Sequence, residues 1–140
     1  MSDLDCFIEA QDNMYSVALK EIKSGKKKSH WMWYIFPQIK GLGKTEISNY
    51  YAIKNLEEGI SYLENPILKG RLLEISQAVL DLNTKNIEEV FGSIDSLKLK
   101  SSMTLFHQID KEEKIFIEVL NKYFNKELDK RMIELLRSNK

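Results

Sequence analysis

The residues best suited to chemistry crowd into one stretch from Gly25 to Thr45, which reads Gly-Lys-Lys-Lys-Ser-His-Trp-Met-Trp-Tyr-Ile-Phe-Pro-Gln-Ile-Lys-Gly-Leu-Gly-Lys-Thr. It holds both tryptophans, one of the two histidines, a Gly-x-Gly turn and a run of three lysines. Trp31, Trp33, Tyr34 and Phe36 offer flat faces on which a base or nicotinamide ring can stack, and His30 and Gln38 can hydrogen-bond polar edges. Aromatic residues in an apolar run more often form core. Here, however, Lys26, Lys27, Lys28, His30, Gln38, Lys40 and Lys44 bracket the aromatics on both sides, which a pure core segment rarely needs. A lysine run by itself is ordinary, since lysines are solvated and favour helix C-termini.

Gly43-Lys44-Thr45 matches the end of a phosphate-binding loop, Gly-x-x-x-x-Gly-Lys-[Ser/Thr], but the first glycine would have to stand at Gln38. No later strand ending in an acidic metal ligand is visible, so a nucleotide-hydrolase loop is set aside. Glycines ahead of a helix N-terminus still expose N–H groups that favour an anion, and Lys44 is kept as a phosphate contact. A second candidate surface lies in Leu97-Lys98-Leu99-Lys100-Ser101-Ser102-Met103-Thr104-Leu105-Phe106. On a helix, Lys98, Ser101, Ser102 and Leu105 fall close together, and Lys100, Thr104 and His107 form a neighbouring stripe. Such a surface could hold phosphate or sugar hydroxyls; the alternative has the small hydroxyl residues permitting close helix packing.

For acid and base work the chain offers Glu9, Glu21, Glu46 and His30, without a Glu-x-x-His pair, a nucleophile elbow or framed carboxylates. Cys6 has no nucleophile signature around it. With one cysteine and two distant histidines, neither a disulfide framework nor a zinc site is expected, and no cofactor is implied.

These groups need elements to position them. At 140 residues, 43% hydrophobic and 30% charged, the chain can bury one core, and disorder is excluded. Lys plus Arg and Asp plus Glu number 21 each, so no global charge calls for nucleic acid or an anionic membrane. The longest apolar run is the six residues from Trp31 to Phe36, too short for a membrane span, and the N-terminus is acidic rather than basic; the expected place is the cytoplasm.

Apolar residues at helical spacing from Leu4 through Phe7, Ile8, Met14, Tyr15, Ala18 and Ile22 predict a first helix, with Ser2 as cap and Gly25 as stop. Ser29 to Phe36 is apolar without periodicity and fits either a buried short helix capped by Ser29 or a central strand, ended by Pro37. A short helix is expected over Glu46 to Ile53, and Asn55 with Glu58 resembles a capping box opening another. Asn65-Pro66 opens a longer helix through Leu82, with Leu68, Leu72, Ile75 and Val79 inward. Ile87 to Phe91 stops at Gly92, Ser93 can cap Ile94 to Gln108, and further helices are expected at Glu112 to Phe124 and Leu128 to Arg137. The expectation is an all-α, compact single domain over residues 1–140, a bundle of about six to eight helices.

The run His30-Trp31-Met32-Trp33-Tyr34-Ile35-Phe36-Pro37-Gln38 with Lys40-Gly41-Leu42-Gly43 closely resembles the hallmark of the bacterial domain-of-unknown-function 1810 family, whose members are sometimes labelled calpastatin-like. The resemblance takes in Phe7, Ala10-Gln11, Tyr15, Gly25-Lys26, Tyr51, Ile53, Tyr62-Leu63, Pro66, Leu68 and Arg71-Leu72. It continues through Phe91-Gly92, Asp95, Lys98-Leu99, Ser101 to Phe106, and Tyr123-Phe124. It implies an all-helical single domain and assigns no biochemical role; a compact chain of this kind does not look like a disordered protease inhibitor. Departures fall at Ala52, where glycine is usual, Asn65 for histidine, Asn125-Lys126 for a glycine, and Met132 for threonine.

The functional expectation is a small protein binding a nucleotide-like ligand, such as an ADP-ribose or NAD-derived molecule, in a pocket built from the two segments, with sequestration as one role for it. Its contacts would be Gln11, His30, Trp31, Trp33, Gln38, Lys44, Lys98, Lys100, Ser101 and Ser102. The alternatives are an enzyme on the same ligand class, with His30 as acid or base and Gln11 or Gln38 positioning a water, and a helical protein–protein adaptor whose hallmark is core.

Overall fold

The computed structural model describes residues 4–139, and within them are eight helices, all but the third contributing residues to one hydrophobic cluster. In chain order they are α1 (Asp5–Lys23), α2 (Met32–Ile35), α3 (Glu46–Tyr50), α4 (Leu56–Glu64), α5 (Pro66–Leu80), α6 (Glu88–Ile109), α7 (Lys114–Phe124) and α8 (Lys130–Ser138). α5 lies between α1 and α7, while α6 packs on α4, α7 and α8 and α2 rests against α1.

Local signals explain most boundaries. The Asn65 side chain accepts from Ile67 N–H and Leu68 N–H, with Pro66 at the first helical position, where its missing N–H costs nothing. From there Leu68, Leu72, Ile75 and Val79 carry the buried face of α5. Asn55 caps α4 through Glu58 N–H, and the buried Glu58 carboxylate returns to the N–H of Lys54, one residue earlier than a standard capping box. Asp129 caps α8 through Met132 N–H. Asn125 and Lys126 end α7 in the left-handed region, at φ 53° and 65°, where this chain lacks the expected glycine.

Two expectations shift, and a third falls outside the described residues. The predicted Ser2 cap lies outside the described residues; among those described, Leu4 holds the N-cap position of α1, without a side-chain bond. The Ser29 to Phe36 segment is helical over α2 only, and Ser29 does not cap it, because its hydroxyl is taken by Glu21. α3 stops at Tyr50 rather than Ile53, since Ile53 pairs in an isolated parallel bridge with Ile39. Ile53 N–H donates to Gln38 O and Lys40 N–H to Ile53 O, each at 2.8 Å, which pins the loop leaving the hallmark.

A buried polar network ties the hallmark to the bundle. Gln11 of α1 donates to Tyr34 O at 2.7 Å and to the Tyr62 hydroxyl at 3.0 Å, and accepts from Arg71 at 3.4 Å. Every polar atom of this buried amide is therefore partnered, which is what permits it inside a core. At Gly59 α4 comes close to α6: a Cβ there would sit 2.3 Å from Ile109 Cδ1. No helix among the described residues is long and apolar enough to cross a membrane.

Candidate functional site

One carboxylate shapes the loop that forms a wall of the site. α1 ends at Lys23, and Gly25, at φ +86°, reverses the chain. Glu21 then gathers the loop that runs on from this reversal. Its Oε1 accepts from the backbone N–H of Lys28 at 2.8 Å and of Ser29 at 3.0 Å and from the Trp31 indole N–H at 2.9 Å. Its Oε2 accepts from the Ser29 hydroxyl at 2.6 Å. Desolvation pushes the Glu21 pKa up, but the donors from Ser29, Lys28 and Trp31 prevail and hold it down at about 2. Glu21 therefore stays ionised near neutrality and serves as an anchor rather than as an acid or base.

From this loop Lys27 crosses to α6. Its N–H donates to Val90 O at 2.8 Å. Its ammonium donates to Ser29 O, lies 4.8 Å from the Trp31 ring centroid and pairs with Asp95 at 2.9 Å, with only 7% of the side chain exposed. The partner comes from a break in α6. Gly92, at φ 82° and ψ 168°, interrupts α6 in a conformation open in practice only to glycine, so α6 consists of a short part, 88–91, and a long part after the break. Asp95 stands in the first turn after the break, where the helix dipole favours negative charge. One turn on, Lys98 reaches Asp95 loosely at 3.5 Å and lies 5.1 Å from the Trp33 ring centroid.

Between these two segments opens a cleft of about 360 Å³, whose lining includes Lys27, His30, Trp33, Gly92, Asp95 and Lys98. It combines an aromatic ring, a histidine exposed to solvent, a half-buried ammonium and a fixed carboxylate. Among the described residues no group of three or more His, Cys, Asp or Glu is placed to hold a metal.

Of the expected contacts, His30, Trp33 and Lys98 meet in this cleft. The others lie elsewhere. Trp31 is fully buried, with Phe36 and Phe91 at 6.3 and 6.1 Å and Lys27 against its ring, so no base can stack on it without displacing core. Gln11 is consumed by the buried network, which also leaves it no water to position. Gln38 is half-buried beside a gap of about 10 Å³, room for at most one water. Lys44 is exposed in the turn before α3. There Thr45 spends its hydroxyl on a reciprocal cap with Ser48, and Gly43 is needed because a Cβ would lie 2.4 Å from Ser48 Oγ. The Gly-Lys-Thr sequence thus encodes a close packing and a cap. Lys100 pairs with Glu127 and lines a separate cleft with Leu128, Asp129 and Lys130.

Ser101 and Ser102 are buried, their hydroxyls without a partner, inside a stretch of α6 that is buried from Ser101 to Phe106. His107 is half-buried away from the cleft, its pKa lowered by desolvation and by Lys111. Sequence reasoning passed over Lys27, Asp95 and Glu21 as site builders. Glu21 carries no local signature, because half of its donors are backbone N–H groups of a loop. Asp95 belonged to the family pattern, three residues after a helix-breaking glycine, and that position was the available signal.

A family model described as "Protein of unknown function (DUF1810)" matches residues 1–136. The crystal structure of the conserved hypothetical protein Rv1873 from Mycobacterium tuberculosis is similar to this chain at 40% identity and a TM-score of 0.94, over 96% of each chain. No curated protein matches.

Proposed function

The chain belongs to the DUF1810 family, which carries no assigned activity, and from its site we propose that it binds a small nucleotide-like ligand, of the ADP-ribose or NAD-derived class, in the cleft between the hallmark and α6. The observation that carries this reading is the convergence of Trp33 and Lys98, far apart in sequence, with the ammonium 5.1 Å from the ring centroid on one cleft. An aromatic face beside a loosely held ammonium suits a base or nicotinamide ring joined to a phosphate. Ligand pockets usually span about 300–1,000 Å³, so a cleft of about 360 Å³ fits one nucleotide unit, with the rest of a larger molecule in solvent. Lys44 and Lys100 are not part of this binding surface. The presence of His30 in the lining supports a second reading, hydrolysis or transfer on the same ligand with His30 as acid or base.

The test is a thermal-melt panel of NAD, ADP-ribose, cyclic ADP-ribose isomers and mononucleotides. A ligand at one hundred times its Kd adds about 2.7 kcal/mol, several degrees in Tm for a domain of this size. Trp33→Ala and Lys98→Ala should each remove the shift, and mass analysis after incubation, repeated with His30→Ala, separates binding from turnover. No shift with any compound, or a shift that both variants leave intact, would overturn the reading.

A further inference from the structure

Resting on that binding site, we propose that Asp95 is its specificity-determining residue and that it selects ligands carrying a ribose diol, by accepting hydrogen bonds from the sugar hydroxyls. Two cations face Asp95, and they differ. Lys27 is committed: nine-tenths buried, donating to Ser29 O and to Asp95 Oδ2 at 2.9 Å, with its ammonium against the Trp31 ring. It cannot swing out to a phosphate without leaving all three contacts. What it does is fix the Asp95 carboxylate in place.

Lys98 is held more loosely. It meets Asp95 Oδ1 only at 3.5 Å and lies over the Trp33 ring at 5.1 Å, and its side chain is 30% exposed, so a ligand phosphate can draw it away while the ligand ring takes its place at Trp33. A carboxylate has about four lone-pair sites; one engages Lys27 closely, and 22% of the Asp95 side chain remains exposed beside the cleft. An anion with no hydroxyl donor would meet that carboxylate at close range, and the repulsion would offset what Lys98 provides. A ribonucleotide satisfies both groups, with its ring at Trp33, its phosphate at Lys98 and a sugar hydroxyl at Asp95.

The experiment measures binding of the four ribonucleoside monophosphates, their 2′-deoxy and 3′-deoxy counterparts and inorganic phosphate, by NMR titration of the wild type and of Asp95→Asn. In the wild type at least one ribonucleotide should bind about tenfold to a hundredfold more tightly than its deoxy partner, the range of a hydrogen bond to a charged group, and inorganic phosphate should bind weakly. Asp95→Asn should lose most of that discrimination while still binding. Equal binding of ribo and deoxy forms to the wild type overturns the role of Asp95 and leaves the binding site standing. Discrimination that persists in Asp95→Asn does the same. Failure of every nucleotide to bind, in this panel and in the melt panel, removes the site itself. The wild-type comparison does not depend on the folding of the variant.

Discussion

Replacing Glu21 tests the link between fold and site most directly, because four hydrogen bonds converge on it. In Glu21→Gln the amide oxygen can still accept from Lys28 N–H, Ser29 N–H and the Trp31 indole, while the Ser29 hydroxyl must turn to accept from the new amide. What is lost is charge assistance. A carboxyl held at about 2 rather than at its ordinary 4.5 corresponds to about 3 kcal/mol at full value, and solvent along the open side of the loop brings this to about 1–2 kcal/mol. In Glu21→Ala the indole N–H of the fully buried Trp31 is left without its acceptor, costing about 1–3 kcal/mol, and the loop donors turn to water for about 0.5–1 kcal/mol each, some 3–5 kcal/mol in all.

Urea unfolding monitored by far-UV circular dichroism reads both variants. With a slope of about 1–3 kcal/mol per molar urea, Glu21→Gln should lower the midpoint by about 0.5–1 M. The dependence on pH has a fixed sign. The folded pKa lies below the unfolded one, so the contribution of Glu21 is complete above about pH 4.5 and is lost as the pH falls toward 2. The gap between wild type and Glu21→Gln should therefore be full at pH 7 and nearly closed at pH 2. A gap below about 0.5 kcal/mol at pH 7, the lower end for a single net hydrogen bond, or one that does not shrink in acid, would refute the reasoning.

Two further substitutions probe the backbone. Gly92→Ala places a Cβ in open space, with nothing within 4 Å, so its whole effect is the strain of φ 82° and ψ 168°; a loss of about 1–3 kcal/mol is expected in the same urea assay, and ligand affinity should weaken with it because the start of the second part of α6 shifts. Lys126→Gly should stabilise by about 0.5–1 kcal/mol, since relief of a left-handed lysine at φ 65° outweighs the added entropy of glycine in the unfolded chain; an unchanged or lowered midpoint would count against it.

The elements most legible in the sequence were those specified by adjacent residues. Asn65-Pro66 marks the start of α5 by a cap and a ring that need no tertiary context, and Gly92 marks the break in α6 because only glycine adopts that conformation cheaply. α2 was ambiguous for a physical reason: a segment buried on nearly every side shows no periodicity, so helix and strand look alike. Ser29 misled as a cap because its hydroxyl answers a carboxylate eight residues earlier.

The same limit explains the mixed outcome at the site. Polar residues beside aromatics mark either a pocket or a buried network, and the sequence does not distinguish them. Gln11 is spent in the buried network and Trp31 on Glu21 and the core, whereas Trp33 and Lys98 line the cleft. Lys27 shows how the two are joined. Its burial takes a cation away from any ligand, yet that burial holds Asp95 at the cleft, and the loop that delivers Lys27 is folded by Glu21. The two adjacent roles make an ordered prediction. If Glu21 acts on the cleft only through this loop, Glu21→Gln should weaken nucleotide binding without changing which sugar is preferred, whereas Asp95→Asn should change the sugar preference and also lower the melt, because it leaves the buried Lys27 without its counter-ion. Equal effects of the two substitutions on sugar preference would mean that the carboxylate of Asp95 is not what reads the ligand.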